Sequence, residues 1–229
     1  MKKILYSYLF LIFIFMSVLV PCKVYAVDIT VGATTWYAWW NEKQSGDSET
    51  LDPALLYGPV LSVRFFDDFD LTFVYLTGKF DDGSNKKIQR YDFDFAFGYR
   101  LNDFFKVFTG LKYMGYKQGS YRYDSFAPEL GLKATLPIAE NLFLIPTLSG
   151  FYLLGSDIDN SVNRGENFNG YGVDSSLSFA YYITPAININ LGGRLIYYKT
   201  NWKPDSYSPP LDDITTKIYG VILSASFTF

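Results

Sequence analysis

Residues 219–229 read YGVILSASFTF, and the reading of this run decides the fold. Tyr219, Val221, Leu223, Ala225, Phe227 and Phe229 fall on one face, while Gly220, Ser224, Ser226 and Thr228 fall on the other. A period of two is that of a β-strand, here with one oily face. Such a face must lie against something other than water, and an aromatic at position 229 is out of keeping with a terminus that frays in solvent.

The alternation recurs along the chain. Val27, Ile29, Val31, Ala33, Tyr37 and Trp39 oppose Asp28, Thr30, Gly32 and Thr34. In YDFDFAFGYR, Tyr91, Phe93, Phe95, Phe97 and Tyr99 alternate with Asp92, Asp94, Ala96, Gly98 and Arg100. Few soluble strands expose five aromatics in a row, whereas lipid accepts them. The segments around Leu55–Phe65, Phe126–Ile138, Tyr171–Ile183 and Ala186–Tyr198 follow the same scheme. FDLTFVYLTG, FFKVFTGLKYMG and LFLIPTLSGFYLLG are apolar on both faces, so their phase stays open. Together these segments make about ten strands, with eight or twelve as alternatives, each long enough for the roughly 9 to 11 residues that cross a bilayer at a tilt.

The connections alternate in length. FFDDFD, RLNDFF, PIAENLF and YITPAI are tight turns, whereas NEKQSGDSETLD, KFDDGSNKK, YKQGSYRYD, GSDIDNSVNRGENFNG and KTNWKPDSYSPPLDD are longer and polar. Short turns at one end and long loops at the other are the plan of bacterial outer-membrane barrels. Five long loops and four turns put both ends of the barrel domain on the turn side.

Residues 1–26 set the compartment. Lys2 and Lys3 precede an apolar run from Ile4 to Val20, Pro21 breaks it, and Val24-Tyr25-Ala26 closes it in the small-x-small manner of a cleavage site. The domains expected are a signal peptide over 1–26 and a barrel over 27–229, with an uncleaved anchor as the alternative. Cys22 follows Pro21, a poor fit to a lipidation site, and the chain has no other cysteine, so the mature protein is expected to carry no disulfide. Cleavage removes Lys2, Lys3 and Lys23 and makes the formal charge of −3 more negative, which argues against a nucleic-acid partner. Aromatics reach 20%, a usage that suits rings at an interface. With no apolar run beyond the signal long enough for a helix, a membrane-spanning chain has only the closed barrel open to it.

On these residues the sequence resembles the small outer-membrane β-barrel proteins of Gram-negative bacteria, a porin-like superfamily. The likeness rests on the signal peptide, the strand ending in Phe229, the YRLNDFF-like turns and the absence of mature cysteine. It implies an all-β antiparallel barrel in the outer membrane with short periplasmic turns and long extracellular loops. It also implies that Tyr219, Val221, Leu223, Phe227 and Phe229 form an assembly signal read by the barrel-assembly machinery. Outer-membrane lipid and lipopolysaccharide are the other expected partners of a monomer, with no cofactor and no metal. A soluble β-sandwich or lipocalin-like barrel also alternates with period two, but it packs its apolar face inward.

With the apolar faces outward, the lumen receives Asp28, Arg64, Asp92, Asp94, Arg100, Glu129, Lys133, Asp174 and Arg194, joined by Lys106 and Lys112 if the middle strands have the matching phase. The near balance of signs suggests ion pairs filling a narrow barrel, because buried charges persist when paired. A charged constriction that selects solutes is the sharper reading. The expected role is therefore structural or that of a small passive pore with a largely filled lumen. The alternative is a surface adhesin or ligand-binding barrel that acts through its loops.

An outer-membrane enzyme is the remaining alternative. Members known to be proteases, phospholipases or lipid A deacylases rely on histidine, and this chain has none. Asp157, Asp159, Asn163 and Glu166 are spaced loosely like calcium ligands but lack the central Gly of an EF-hand loop. The tyrosines of GSYRYD and Trp202 are candidates for a ligand surface. Trp36, Trp39, Trp40, Tyr197 and Tyr198 read as an interfacial girdle. Pro59, Pro128 and Pro146 each remove a ladder donor within a strand, and bulges are expected there.

Overall fold

The computed structural model describes residues 27–44, 47–81, 83, 87–159, 164–202 and 213–229. The expected signal peptide and Cys22 lie outside these residues. The strands are β1 (Asp28–Gln44), β2 (Asp47–Phe65), β3 (Phe69–Asp81), β4 (Lys87–Arg100), β5 (Phe105–Gln118), β6 (Tyr121–Ala134), β7 (Leu136–Ala139), β8 (Leu142–Asp159), β9 (Arg164–Thr184), β10 (Ile187–Trp202) and β11 (Ile214–Thr228). β6 and β7 are one stave interrupted at Thr135, since both pair with β8. Ten antiparallel staves thus form a closed barrel, each bonded to its sequence neighbours, with β1 paired to β11.

Closure explains the exposed face. Val221, Leu223, Phe227 and Phe229 on β11, and Phe93 and Tyr99 on β4, are exposed, as an outward belt requires. From Tyr219 to Phe229 a strand runs roughly 33 Å, or roughly 25 Å along the membrane normal at a tilt near 40°, the height of a transmembrane apolar band. Rings meet across the belt: Phe69 stacks on Phe97 at 5.7 Å, Phe73 lies 4.8 Å from Phe95, and Trp39 stacks on Tyr219 at 5.7 Å.

Side-chain hydroxyls and amides hold two of the short turns. Asn102 Oδ1 accepts from the backbone N–H groups of Phe104 and Phe105, and Thr184 Oγ1 does the same for Ala186 and Ile187. At the other end several expected loops are ribbons. β1 and β2 stay paired to Gln44 and Asp47, β5 and β6 to Gln118 and Tyr121, and β8 and β9 to Asp159 and Arg164. Polarity was the sequence cue for a loop there, and it fails because a ladder above the bilayer can be wet on its outer face.

Pairing breaks between β2 and β3 at Gly58 and Pro59 and between β6 and β8 at Ala127 and Pro128, but the register resumes unchanged, so no bulge forms at these prolines; the register shift between β2 and β3 falls between Asp52 and Tyr57. Missing proline donors account for both interruptions. Pro146 stays in register with Leu177.

Strand closure is tight at Gly220. A Cβ there would run into the carbonyl oxygen of Tyr37 and come within 2.9 Å of the Ala38 Cα. Gly220→Val is therefore expected to abolish the compact, heat-modifiable band on a gel, because β1 and β11 could not close. Gly150→Ala, whose Cβ would meet only the Gly172 carbonyl oxygen at 4.0 Å, should keep it.

Candidate functional site

The lumen is layered along its axis. On the loop side it is apolar: Trp36, Leu56, Leu76, Phe80, Met114, Leu153, Ile196 and Ile218 point inward and are fully buried, and Trp40 is 1% exposed. Trp40 meets Phe80 edge-on at 5.2 Å and Tyr116 at 5.1 Å. A stack continues from Tyr116 to Tyr123 and from Tyr123 to Phe168, with centroids 4.7 Å apart at each step. Burial at this density leaves water little room.

This layer corrects the girdle assignment. Trp36, Trp40 and Tyr198 are inside the barrel, whereas Trp39 and Tyr197 face outward as expected. The run WYAWW is aromatic on both faces, so only closure reveals which ring goes in. Tyr123 of GSYRYD is likewise buried in the stack and is withdrawn from any ligand surface. The side chains of Asp157, Asp159, Asn163, Glu166 and Trp202 lie outside the described residues. Among the described residues there is no group of three or more His, Cys, Asp or Glu side chains placed to hold a metal ion.

Beneath the apolar layer lies a charged brace. Arg194 on β10 grips Asp174 on β9 through Nε at 3.2 Å and Nη2 at 2.6 Å. The same Nη2 donates across the lumen to Asp94 of β4 at 2.9 Å. Lys112 on β5 lies 2.9 Å from Asp174, 3.1 Å from Asp94 and 3.2 Å from Glu129 on β6. Ser149 on β8 donates to Glu129 at 3.0 Å. Six staves meet at one network, in which bidentate Arg geometry and shared carboxylates compensate the desolvated charges.

Cation–π contacts tie buried charges to the rings of the apolar layer. The Arg194 guanidinium of the brace lies 5.1 Å from the Trp36 ring, and that of Arg90 lies 4.8 Å from Trp40. Arg90 is separate from the brace: it sits within the apolar layer, in register with Gly78 and Tyr116, and pairs with Asp92 at 2.9 Å, both side chains being buried.

The expected lumen charges thus divide into four sets. Asp94, Glu129, Asp174 and Arg194 join with Lys112, and Asp92 joins with Arg90 instead. Asp28 and Arg64 form a half-exposed cross-strand pair at the turn-side mouth, 3.6 Å apart. Arg100 and Lys133 are on inward positions and form no ion pair among the described residues. Sequence reasoning left out Arg90, Asp70 and Ser149. Arg90 shares the parity of Asp92 and was legible by it, whereas Asp70 and Ser149 lie on strands apolar on both faces.

Below the brace a cavity of about 320 Å³ is lined by Lys112, Glu129, Asp174 and Arg194 above and by Lys106 and Lys133 below. It meets a vestibule that shares Lys106 and Lys133 and reaches Asp28 and Arg64 at the turns.

No family model matches the sequence. No curated protein matches it. Among solved structures, the outer membrane protease OmpT from Escherichia coli is similar with a TM-score of 0.55 and 11% identity, over 91% of this chain and 99% of that one. Neisserial surface protein A aligns with a TM-score of 0.46 and 12% identity, over 88% and 97% of the two chains. An outer membrane channel from Pseudomonas putida F1 aligns with a TM-score of 0.47 and 10% identity, over 92% and 100%. At these identities the likeness is one of fold. The fold is that of the Gram-negative outer-membrane β-barrels, and the outward apolar belt is the surface such a barrel turns to lipid.

Proposed function

We propose that this chain is a closed outer-membrane barrel, structural or surface-acting, whose lumen does not pass solutes in its resting state. One observation carries the reading: the loop-side half of the lumen is packed with fully buried apolar side chains, from Trp36 and Trp40 across to Leu153 and Ile218. Even a charge-selective pore needs a wetted path, and this layer offers none. Single-channel recording of the folded mature barrel in a planar bilayer tests it. The expected trace is flat, and a stable, salt-dependent current from the unmodified protein would overturn the closed state.

Surface binding is the second reading, supported by the paired ribbons that carry β1–β2, β5–β6 and β8–β9 beyond the apolar belt. Such ribbons present residues on a stiff backbone. Binding that survives changes to the lumen but disappears when a ribbon is shortened would favour this role.

Catalysis has less support. OmpT is a protease, but this chain has no histidine. Of its inward carboxylates, Asp92, Asp94, Glu129 and Asp174 are each held by Arg90, Lys112 or Arg194, and Glu42 accepts from Trp40 and Thr216, the arrangement of structural groups. In this reading Tyr219, Val221, Leu223, Phe227 and Phe229 serve assembly and then face lipid. Lipopolysaccharide and the assembly machinery are the partners proposed for an otherwise monomeric chain.

A further inference from the structure

The turn-side half of the lumen carries a charge arrangement that the closed-barrel reading does not require. Arg100, Lys106 and Lys133 are in register on β4, β5 and β6, all inward, so each is the direct cross-strand neighbour of the next. Like charges directly opposite one another destabilise a sheet. Lys106 alone has a partner there, holding both oxygens of Asp70 at 2.8 Å. Arg64, in register with Asp70 on the neighbouring stave, completes a group of four cations, and its own partner is Asp28. Four cations thus face two carboxylates, with Arg100 and Lys133 lacking an acidic partner among the described residues.

The surroundings of Lys133 are those of a receptor for an anion. It lines both the cavity of about 320 Å³ and the vestibule leading to the turn-side mouth. Ser62, Thr72, Asn188 and Ser226 line the same vestibule. Asn188 Oδ1 accepts from both Asn190 and Ser226, at 2.9 and 3.0 Å, which leaves the Asn188 amide hydrogens to donate. Cations beside neutral donors, in a recess within the barrel that opens at the turns, bind oxyanions through charge-assisted hydrogen bonds. The apolar layer closes the other end, so a ligand enters from the turn side.

We propose that this vestibule binds a small oxyanion of the phosphate class, with Lys133 as its principal cation and Lys106 and Arg64 flanking it. The chain as a whole is acidic, so diffuse attraction does not account for such binding.

The test is a titration of the folded full-length mature barrel with inorganic phosphate, followed by phosphorus NMR line width, in a maltoside detergent that carries no phosphate. Saturable broadening is expected for the unmodified protein and for Lys133→Arg. Lys133→Gln should weaken binding by about tenfold or more, the loss of one charge-assisted contact. Lys217→Gln, an outward change beside Tyr219, should have no effect. Absence of saturable binding by the unmodified barrel, or equal binding by Lys133→Gln, would overturn the site. Binding that appears only when phosphatidylglycerol is added to the micelles would assign the cations to a lipid headgroup and overturn the free anion. A heat-modifiable band for each variant separates lost binding from lost folding; Arg64→Gln, at the half-exposed mouth, should also weaken binding, and equal binding by it overturns the site if Lys133→Gln fails to fold.

Discussion

Arg194→Met is expected to destabilise the folded barrel by about 3–5 kcal/mol, the cost of removing one partner from a buried ion network. The measurement is a urea unfolding series in lipid vesicles, in which the midpoint should fall well below that of the unmodified chain. Arg194 supplies two contacts to Asp174 and one to Asp94. Without it Lys112 alone faces Asp94, Glu129 and Asp174. Desolvated carboxylates then repel one another across the lumen, and staves on opposite walls lose their tie.

A double change separates this cause from lost packing. Arg194→Met with Asp174→Asn removes one charge of each sign, so the remaining group keeps the net charge of the original. Most of the stability should return, less the cation–π contact with Trp36, worth about 0.5–2 kcal/mol. If the single change costs under about 1 kcal/mol, or the double is no better than the single, the brace is not an electrostatic unit.

Trp36→Ala combined with Trp40→Ala is expected to turn a silent barrel into a conducting one. Both rings are buried at the centre of the loop-side layer. Each truncation costs about 3–5 kcal/mol and leaves a cavity that the stiff staves cannot collapse into. The two positions lie about 13 Å apart on one strand face with Ala38 between them, so their cavities open the layer at two successive levels, one against Arg90 and one against Arg194. Water can then hydrate the guanidinium groups from the loop side and connect to the cavity below. Stepwise current in planar bilayers is the expected readout, with Trp39→Ala as the outward control that stays silent. If the double variant folds and remains silent, closure belongs to other groups and the layer around these two tryptophans is not the gate.

How much of this was legible beforehand differs by strand. β4 and β11 alternate cleanly, and the structure places each named face where period two put it. β3, β5 and β8 are apolar on both sides of the strand for much of their length, so Asp70, Lys112 and Ser149 could not be phased from the sequence. Their phase follows from the register with neighbours that do alternate: Asp94 opposite Lys112, and Gly110 opposite Glu129. The polar segments around Gln44, Gln118 and Asp159 have a composition that solvent-exposed ladders and loops share, so polarity does not separate the two.

By itself, then, the sequence determined the strands, their approximate number, the outward face and the sign of the charges within. Period two is a local property, written by each residue's neighbours along the chain. Which inward residues meet is not local: Asp94 and Arg194 are a hundred positions apart, and only barrel closure brings β4 and β10 to face each other. The same holds for the apolar layer. An inward Trp36 or Trp40 has the same local pattern whether it faces water in an open lumen or packs on rings from distant strands. Tertiary structure alone decided that this lumen is packed with apolar side chains at one end, braced in the middle and lined at the other by cations that, among the described residues, lack an acidic partner.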